Sequence, residues 1–276
     1  MKKRTVKLLL YVIVILCIGV ACFSGYKLYS IGKVYHDSGK VYNNISNQYT
    51  DEVVEEIKDA KSETSPKNID FDKLKSEVNP EIVAWLYCPD TVIDYPVVQH
   101  MDNFYYLNHT ADNADNRSGA IFLNSANRAD FSDRNSVIHG HNLHSGQMFH
   151  VLGNWAKQEW YDGTDEVPSH KVMYLNTAEH GNYKIELISY MVTPDDSDVY
   201  RIEFSGAEDM KAWTDWILEQ SMFKADYEFS PDDQFVSMST CQYNYENARG
   251  VLTGKLIRLA DTEASDGEVE DVNIIR

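Results

Sequence analysis

A mainly β fold is expected for this chain: a closed or nearly closed barrel of about eight short strands. Helices should precede the barrel, and one helix should lie in the long connection before the cysteine-bearing strand. Three observations carry this. From Trp85 onward, apolar residues recur at every second position in short runs bounded by turn residues. Those runs follow one another without long helices between most of them, which disfavours a parallel sheet wound with crossover helices. A helical period interrupts them over Ser205–Met222.

Taken in order, the chain opens with MKKRTVK and then runs 18 residues, Leu8 to Gly25, without a charge. A helix needs roughly 17–25 residues to cross the hydrocarbon core of a bilayer. Tyr11 and Tyr26 stand near the two ends of the run, where interfacial aromatics belong. Basic residues cluster before it, so residues 1–7 are expected in the cytoplasm, 8–29 as a single-pass anchor, and the rest outside the cell membrane. A cleavable signal peptide is the competing reading, but no A-x-A site follows the apolar run. Ala21-Cys22 loosely resembles a lipoprotein cleavage site, with Gly19 where a leucine is expected.

Residues 30–70 read as a helical stalk or linker, or as a helix packed on the domain. Within them YTDEVVEEIKDAKSE carries charges on most faces and no Pro or Gly. SPKNID, with Pro66 after Ser65, breaks that helix. FDKLKSEV (Phe71–Val78) reads as a second helix, and Pro80 could start a short helical turn in PEIVAW. The eight strand candidates are WLYCP, TVIDYPVV, GAIFLN, SVIHGH, HKVMYLN, NYKIELISYMV, FVSMSTC and RGVLTGKLIRLA. TAEHG should close a hairpin between the fifth and sixth. In Ser205–Met222 the residues Met210, Trp213, Ile217 and Leu218 share a helical face suited to packing on the barrel, and Ser205 with Glu208 forms a capping-box pattern. The folded domain should occupy 71–260. The acidic tail, 261–276, reads as disordered.

Hydrophobic content of 43% with 12% aromatics suffices for a packed core. Six basic and no acidic residues fall in positions 1–34, which leaves 19 basic against 43 acidic in the remainder. A body this acidic repels phosphate, so no nucleic acid partner is expected. Of four cysteines, Cys17 and Cys22 lie in the anchor and only Cys88 and Cys241 in the exported body. Disulfide-held secreted domains use more. A Cys88–Cys241 bridge could form, but nothing in the sequence requires one, and Cys88 reads as a core residue. Cys241 is then available as a thiol.

In FVSMSTC, Phe235, Ser237, Ser239 and Cys241 point to one side of the strand and Val236, Met238 and Thr240 to the other. If this strand pairs with the next, Cys241 and Arg249 come to the same end of adjacent strands, roughly 5 Å apart. A cation beside a thiol favours the nucleophilic thiolate, and it could equally hold an oxyanion. The alternative is a buried structural cysteine beside a surface arginine. A cysteine nucleophile also needs a proton carrier. The histidines cluster in SVIHGHNLHSGQMFH: His139, His141, His144 and His150. His141 follows Gly140 at the strand's end, and His139 is its rival. Zinc is the competing use, but the spacings lack an i, i+4 pair or a Cys-x-x-Cys partner, so no metal is expected.

These residues together resemble the sortase family, and most of all its class B. The family signature T-L-x-T-C, followed by an arginine, is matched by Ser237-Met238-Ser239-Thr240-Cys241 and Arg249, with Ser for Thr and Met for Leu. Gly140-His141-Asn142, Asn79–His109 and the helix over Ser205–Met222 are also similar, and the likeness covers about Phe71 to Leu259. The resemblance implies a closed eight-stranded sortase-type β-barrel and a cysteine transpeptidase. Cys241 would be the nucleophile, His141 the proton carrier and Arg249 the oxyanion or backbone ligand, with Ser239 and Thr240 lining the substrate groove. It implies partners: secreted proteins bearing a C-terminal sorting signal, cleaved after Thr, and an amine of a peptidoglycan precursor or cross-bridge. No cofactor is implied. Two alternatives stand beside it: a pilin-polymerising sortase with a lysine acceptor, and a membrane-tethered barrel that binds surface ligands without catalysis.

Overall fold

The structure, a computed structural model, describes residues 3–52 and 64–260. The helical reading of 53–63 and the reading of the acidic tail fall outside the described residues.

Helix α1 is continuous over Lys3–Tyr49. Its residues from Leu8 to Tyr29 are exposed, whereas Ser38, Tyr42, Ile45 and Tyr49 are buried against the barrel. Their spacing of 4, 3 and 4 is that of a helix showing one face to a partner. Strand β1 (Thr50–Glu52) pairs antiparallel with β2 (Lys67–Ile69), a small sheet that the helical reading of 30–70 did not foresee. One carboxylate ties this region to the barrel. Asp94 accepts from Ser46 Oγ (2.7 Å), Lys67 Nζ (2.7 Å) and Trp85 Nε1 (2.8 Å). Lys67 is buried, and a buried ammonium is tolerated only when paired this way.

Asp70 caps the short helix α2 (Phe71–Lys73), which runs on as a π-helical turn over Leu74–Val78. Pro80 then starts no helix. Asn79 Oδ1 accepts from the Glu81 amide and the chain enters β3 (Ile82–Tyr87) at once, because Ile82 pairs with Val98. Ladder bonds to a neighbouring strand outweigh the mild preference of proline for a first helical turn.

The remaining strands are β4 (Asp94–Val98), β5 (Ile121–Leu123), β6 (Asn135–His139), β7 (Val172–Thr177), β8 (Gly181–Pro194), β9 (Phe235–Cys241) and β10 (Ala248–Arg258). They close a barrel in the order β3-β4-β5-β6-β9-β10-β8-β7. All eight sequence-predicted runs form barrel strands, and β7 and β8 make the expected hairpin. Two pairings are parallel, β4 with β5 and β6 with β9. A parallel pair cannot be joined by a tight turn. The connection after β4 is therefore a long loop. The one after β6 carries β7, β8, α3 (Gln158–Asp162) and α4 (Ala207–Glu219).

Strand β9 alternates as its sequence implies. Val236 and Met238 join the main core, and Phe235 joins a second cluster outside the barrel. That cluster is built on Met210, Trp213 and Ile217 of α4, all buried, with Val251 and Ile188 beneath. The capping differs from expectation. Gly206 stands at the cap position without a side-chain bond, and Asp209 rather than Glu208 reaches back, accepting from the Ser205 amide (2.9 Å) and hydroxyl (3.1 Å). Arg201 holds Asp209 in that pose from the preceding segment (2.6 Å).

Candidate active site

Strand β9 ends at Cys241 and β10 starts at Ala248, so the two strands meet across a short loop closed by Gln242 N–H donating to Ala248 O (2.8 Å). The register sets Cys241 directly opposite Arg249. Cys241 is half-buried, unlike Cys88, which is fully enclosed and whose thiol burial pushes up to about 12. The Arg249 guanidinium lies beside exposed Asp195 (Nη2 to Oδ2, 3.4 Å), and its Nη1 donates to Ala248 O (3.2 Å).

Parallel pairing of β6 with β9 brings the histidine segment to the same end of the barrel. Gly140 N–H continues that pairing by donating to Ser239 O (3.1 Å). Gly140 has to be glycine: a Cβ there would stand 2.4 Å from Ile121 Cδ1 and 2.8 Å from the Phe149 ring. The strand stops at His139, so His141 sits in the loop beyond it. His141 Nε2 is 2.8 Å from Leu107 O. A carbonyl only accepts, so Nε2 carries the proton and Nδ1 is the nitrogen left to exchange one. Asn142 ties the two segments together. Its Nδ2 donates to the Cys241 carbonyl (2.8 Å), and its Oδ1 accepts from His150 Nδ1 (2.7 Å).

Around these groups lies a cavity of about 600 Å³. Asn103, Phe104 and Leu107 of the β4–β5 loop form one wall, with Phe122 and Asn124 after it. Asp195 and Tyr200, from the connection between β8 and α4, form another. His139, His141, Ser239, Thr240, Cys241 and Arg249 complete the lining. All five sequence-nominated site residues thus share one cavity. Ser239 is buried and its hydroxyl pairs with Tyr200 Oη (2.9 Å), whereas the buried Thr240 hydroxyl has no partner among the described residues.

The rival His139 differs in character. Its Nε2 accepts from Asn124 Nδ2 (3.2 Å), and its ring packs near Phe122 and Tyr200. Desolvation, with a smaller push from Arg249, lowers its pKa to about 4. The ring is neutral at pH 7 and poorly placed to carry protons there. This has a measurable consequence. Between pH 6.5 and 4 the unfolded chain takes up a proton on His139 that the folded chain refuses, so stability falls as pH drops through that window. Urea unfolding at pH 7 and pH 4.5 should show a smaller loss in His139→Asn than in the parent. An equal loss would place the acid sensitivity elsewhere.

The four clustered histidines do not converge. His139 meets Asn124, His141 meets Leu107, His144 stacks on Tyr243 (5.8 Å) and His150 meets Asn142. Among the described residues no group of three or more His, Cys, Asp or Glu is placed to hold a metal ion. Asn142 was named only within the Gly140-His141-Asn142 likeness and given no role, and Asp195 and Tyr200 were not singled out by sequence reasoning. Asn142 carried a signal in adjoining His141. Asp195 and Tyr200 carried none, since they lie 54 and 39 residues before the partners they meet, Arg249 and Ser239.

The chain is similar to known proteins in sequence and in fold. Residues 86–257 match the family described as "Sortase domain". "Sortase B" of Listeria monocytogenes is 30% identical over 245 residues, 87% of this chain and 93% of that protein. "Sortase B" of Staphylococcus aureus is 27% identical over 192 residues, covering 69% of this chain and 75% of that one. Among solved structures, B. anthracis sortase B in complex with AAEK1 aligns with a TM-score of 0.67 at 29% identity, covering 82% of this chain and 99% of that chain. A Staphylococcus aureus sortase B–substrate complex aligns at 0.63 and 26%, covering 69% and 85%. The chain belongs to the sortase family of cysteine transpeptidases. Within that family its named relatives put it in class B.

Proposed function

We propose that this chain is a single-pass membrane transpeptidase that cleaves a C-terminal sorting signal after threonine and joins the acyl fragment to a peptidoglycan amine. Residues 8–29 would anchor it with the N-terminus in the cytoplasm, and 71–260 would form the catalytic domain outside. The observation that carries the reading is Cys241 standing opposite Arg249 at a cavity that His141 also lines. Support for the anchor comes from α1, which is long and apolar enough to span a bilayer and buries nothing over its apolar window.

In this reading the Cys241 thiolate attacks the threonine carbonyl carbon and a C–S bond forms. Arg249 stabilises the resulting oxyanion. The oxyanion collapses, the Thr–Gly-type or Thr–Asn-type amide C–N bond breaks, and the leaving amine takes a proton from His141. An incoming amine then gives its proton to His141, attacks the thioester and expels the thiolate. The walls at Phe104, Leu107 and Phe122 shelter the thioester from water until the amine arrives. Ser239 and Thr240 would line the peptide groove beside the nucleophile, Ser239 held by Tyr200.

Intact mass of the full-length chain in detergent micelles, mixed with NPxTN-, SPxTG- and LPxTG-like peptides, tests this directly. The expected result is a mass gain equal to the fragment ending in threonine, absent in Cys241→Ala. No adduct and no cleavage, with Cys241 refusing alkylation, would make the cysteine structural and the reading wrong.

A further inference from the structure

The loop bearing His141 is held partly by the helix that follows the apolar segment. Tyr42 of α1 is 3% exposed. Its hydroxyl donates to the Gly119 carbonyl (2.7 Å) and accepts from the Ala111 amide (3.3 Å). Burial pushes its pKa far up, so the phenol stays a donor. Gly119 is pressed against the histidine. It has φ +63°, and a Cβ there would stand 2.9 Å from His141 Cδ2 and 2.6 Å from the Tyr106 carbonyl.

The same Tyr42 reaches the backbone of the histidine through a second route. Its ring meets Tyr95 edge-on at 5.2 Å, and Tyr95 Oη accepts from the Met148 amide (3.2 Å). Met148 is held at φ 55°, and the amide of the next residue, Phe149, donates to the His141 carbonyl (3.0 Å). Two more contacts run from α1 to these segments. Asn116 Nδ2 donates to the Val34 carbonyl (3.4 Å), and Gly39 lies so close to Gln147 that a Cβ would stand 2.6 Å from its Nε2.

We infer that Tyr42 is a positioning residue for His141, fixing the two backbone segments that contact it, Gly119 at its ring and Met148–Phe149 at its carbonyl. This rests on His141 being the proton carrier. The helix that tethers the enzyme then also sets the geometry of its proton transfer. A misplacement of about 1 Å at a catalytic group can cost as much as 10²-fold in rate. Loss of the two bonds of one hydroxyl, with the aromatic packing kept, should cost less.

The test compares the parent, Tyr42→Phe and His141→Ala, each full-length in detergent micelles. Turnover is measured on the peptide that acylates Cys241 and is divided by active sites titrated through Cys241 alkylation. Histidine-labelled samples give the His141 imidazole resonances with no peptide present. For Tyr42→Phe the expected result is kcat per active site lowered about three- to tenfold, KM within twofold, and a shifted His141 resonance. A purely structural tyrosine would lower the number of active sites instead and leave kcat per site and the resonance unchanged. That outcome overturns the inference. If His141→Ala is inactive while Tyr42→Phe matches the parent per site, only the inference fails. If His141→Ala turns over like the parent, the assignment of His141 fails first and takes the inference with it.

Discussion

Replacing His141 with alanine should lower turnover of a sorting peptide by roughly 10²–10⁴-fold, the span usual for loss of a general acid–base. The leaving group is an amine, and expelled without a proton it would depart as a far poorer leaving group. His141 has one nitrogen committed to the Leu107 carbonyl, so the ring is held in one tautomer with Nδ1 left for exchange. Small alkylating reagents should still label Cys241 in the variant, because alkylation needs the thiolate and no protonated leaving amine. His139→Gln should change turnover much less, since that ring is neutral and bound to Asn124. Parallel peptide-cleavage and alkylation assays decide the matter. If His139→Gln is the inactive variant and His141→Ala the active one, the roles are reversed.

Arg249→Ala should cost roughly 10²–10³-fold in kcat/KM, the range for removing one oxyanion-hole donor. Arg249 stands across the ladder from Cys241, and in the proposed reaction charge develops on the carbonyl oxygen that the cysteine attacks. Arg249→Lys should rescue little, because an ammonium has neither the reach nor the planar fork of a guanidinium. Two roles separate in one experiment. If Arg249 chiefly binds the oxyanion, acylation slows while alkylation of Cys241 by iodoacetamide keeps its rate and pH profile. If it chiefly supports the thiolate, both slow together. Acylation at the parental rate in Arg249→Ala would remove it from the mechanism altogether.

Local pattern explains how much of this was readable from the chain. A strand shows its two faces at every second residue, so the eight barrel runs and the split of β9 into Val236 and Met238 on one side and Phe235 on the other could be read directly. The stripe Met210–Trp213–Ile217 is equally local. So is the pairing of Cys241 with Arg249, because only a short loop separates their strands and a hairpin leaves little choice of register. Where a local signal had a non-local competitor, the reading slipped. Pro80 yielded to the pairing of Ile82 with Val98, and the cap at Ser205 went to Asp209, held from Arg201.

By itself, then, the sequence determined the strands, the outer helix and the facing of Cys241 and Arg249, since each depends on residues close together in the chain. Only the tertiary structure decided what surrounds that pair and which partners each histidine takes. The parallel pairing of β6 with β9 carries both His139 and His141 across a connection of almost a hundred residues to the cavity, and there His139 meets Asn124 while His141 meets Leu107. Only the closed barrel gathers Asn142, Asp195 and Tyr200 around the cysteine and sets Tyr42 behind the histidine. Contacts of that kind leave no period in the sequence, because they are made by separate segments that meet when the barrel closes.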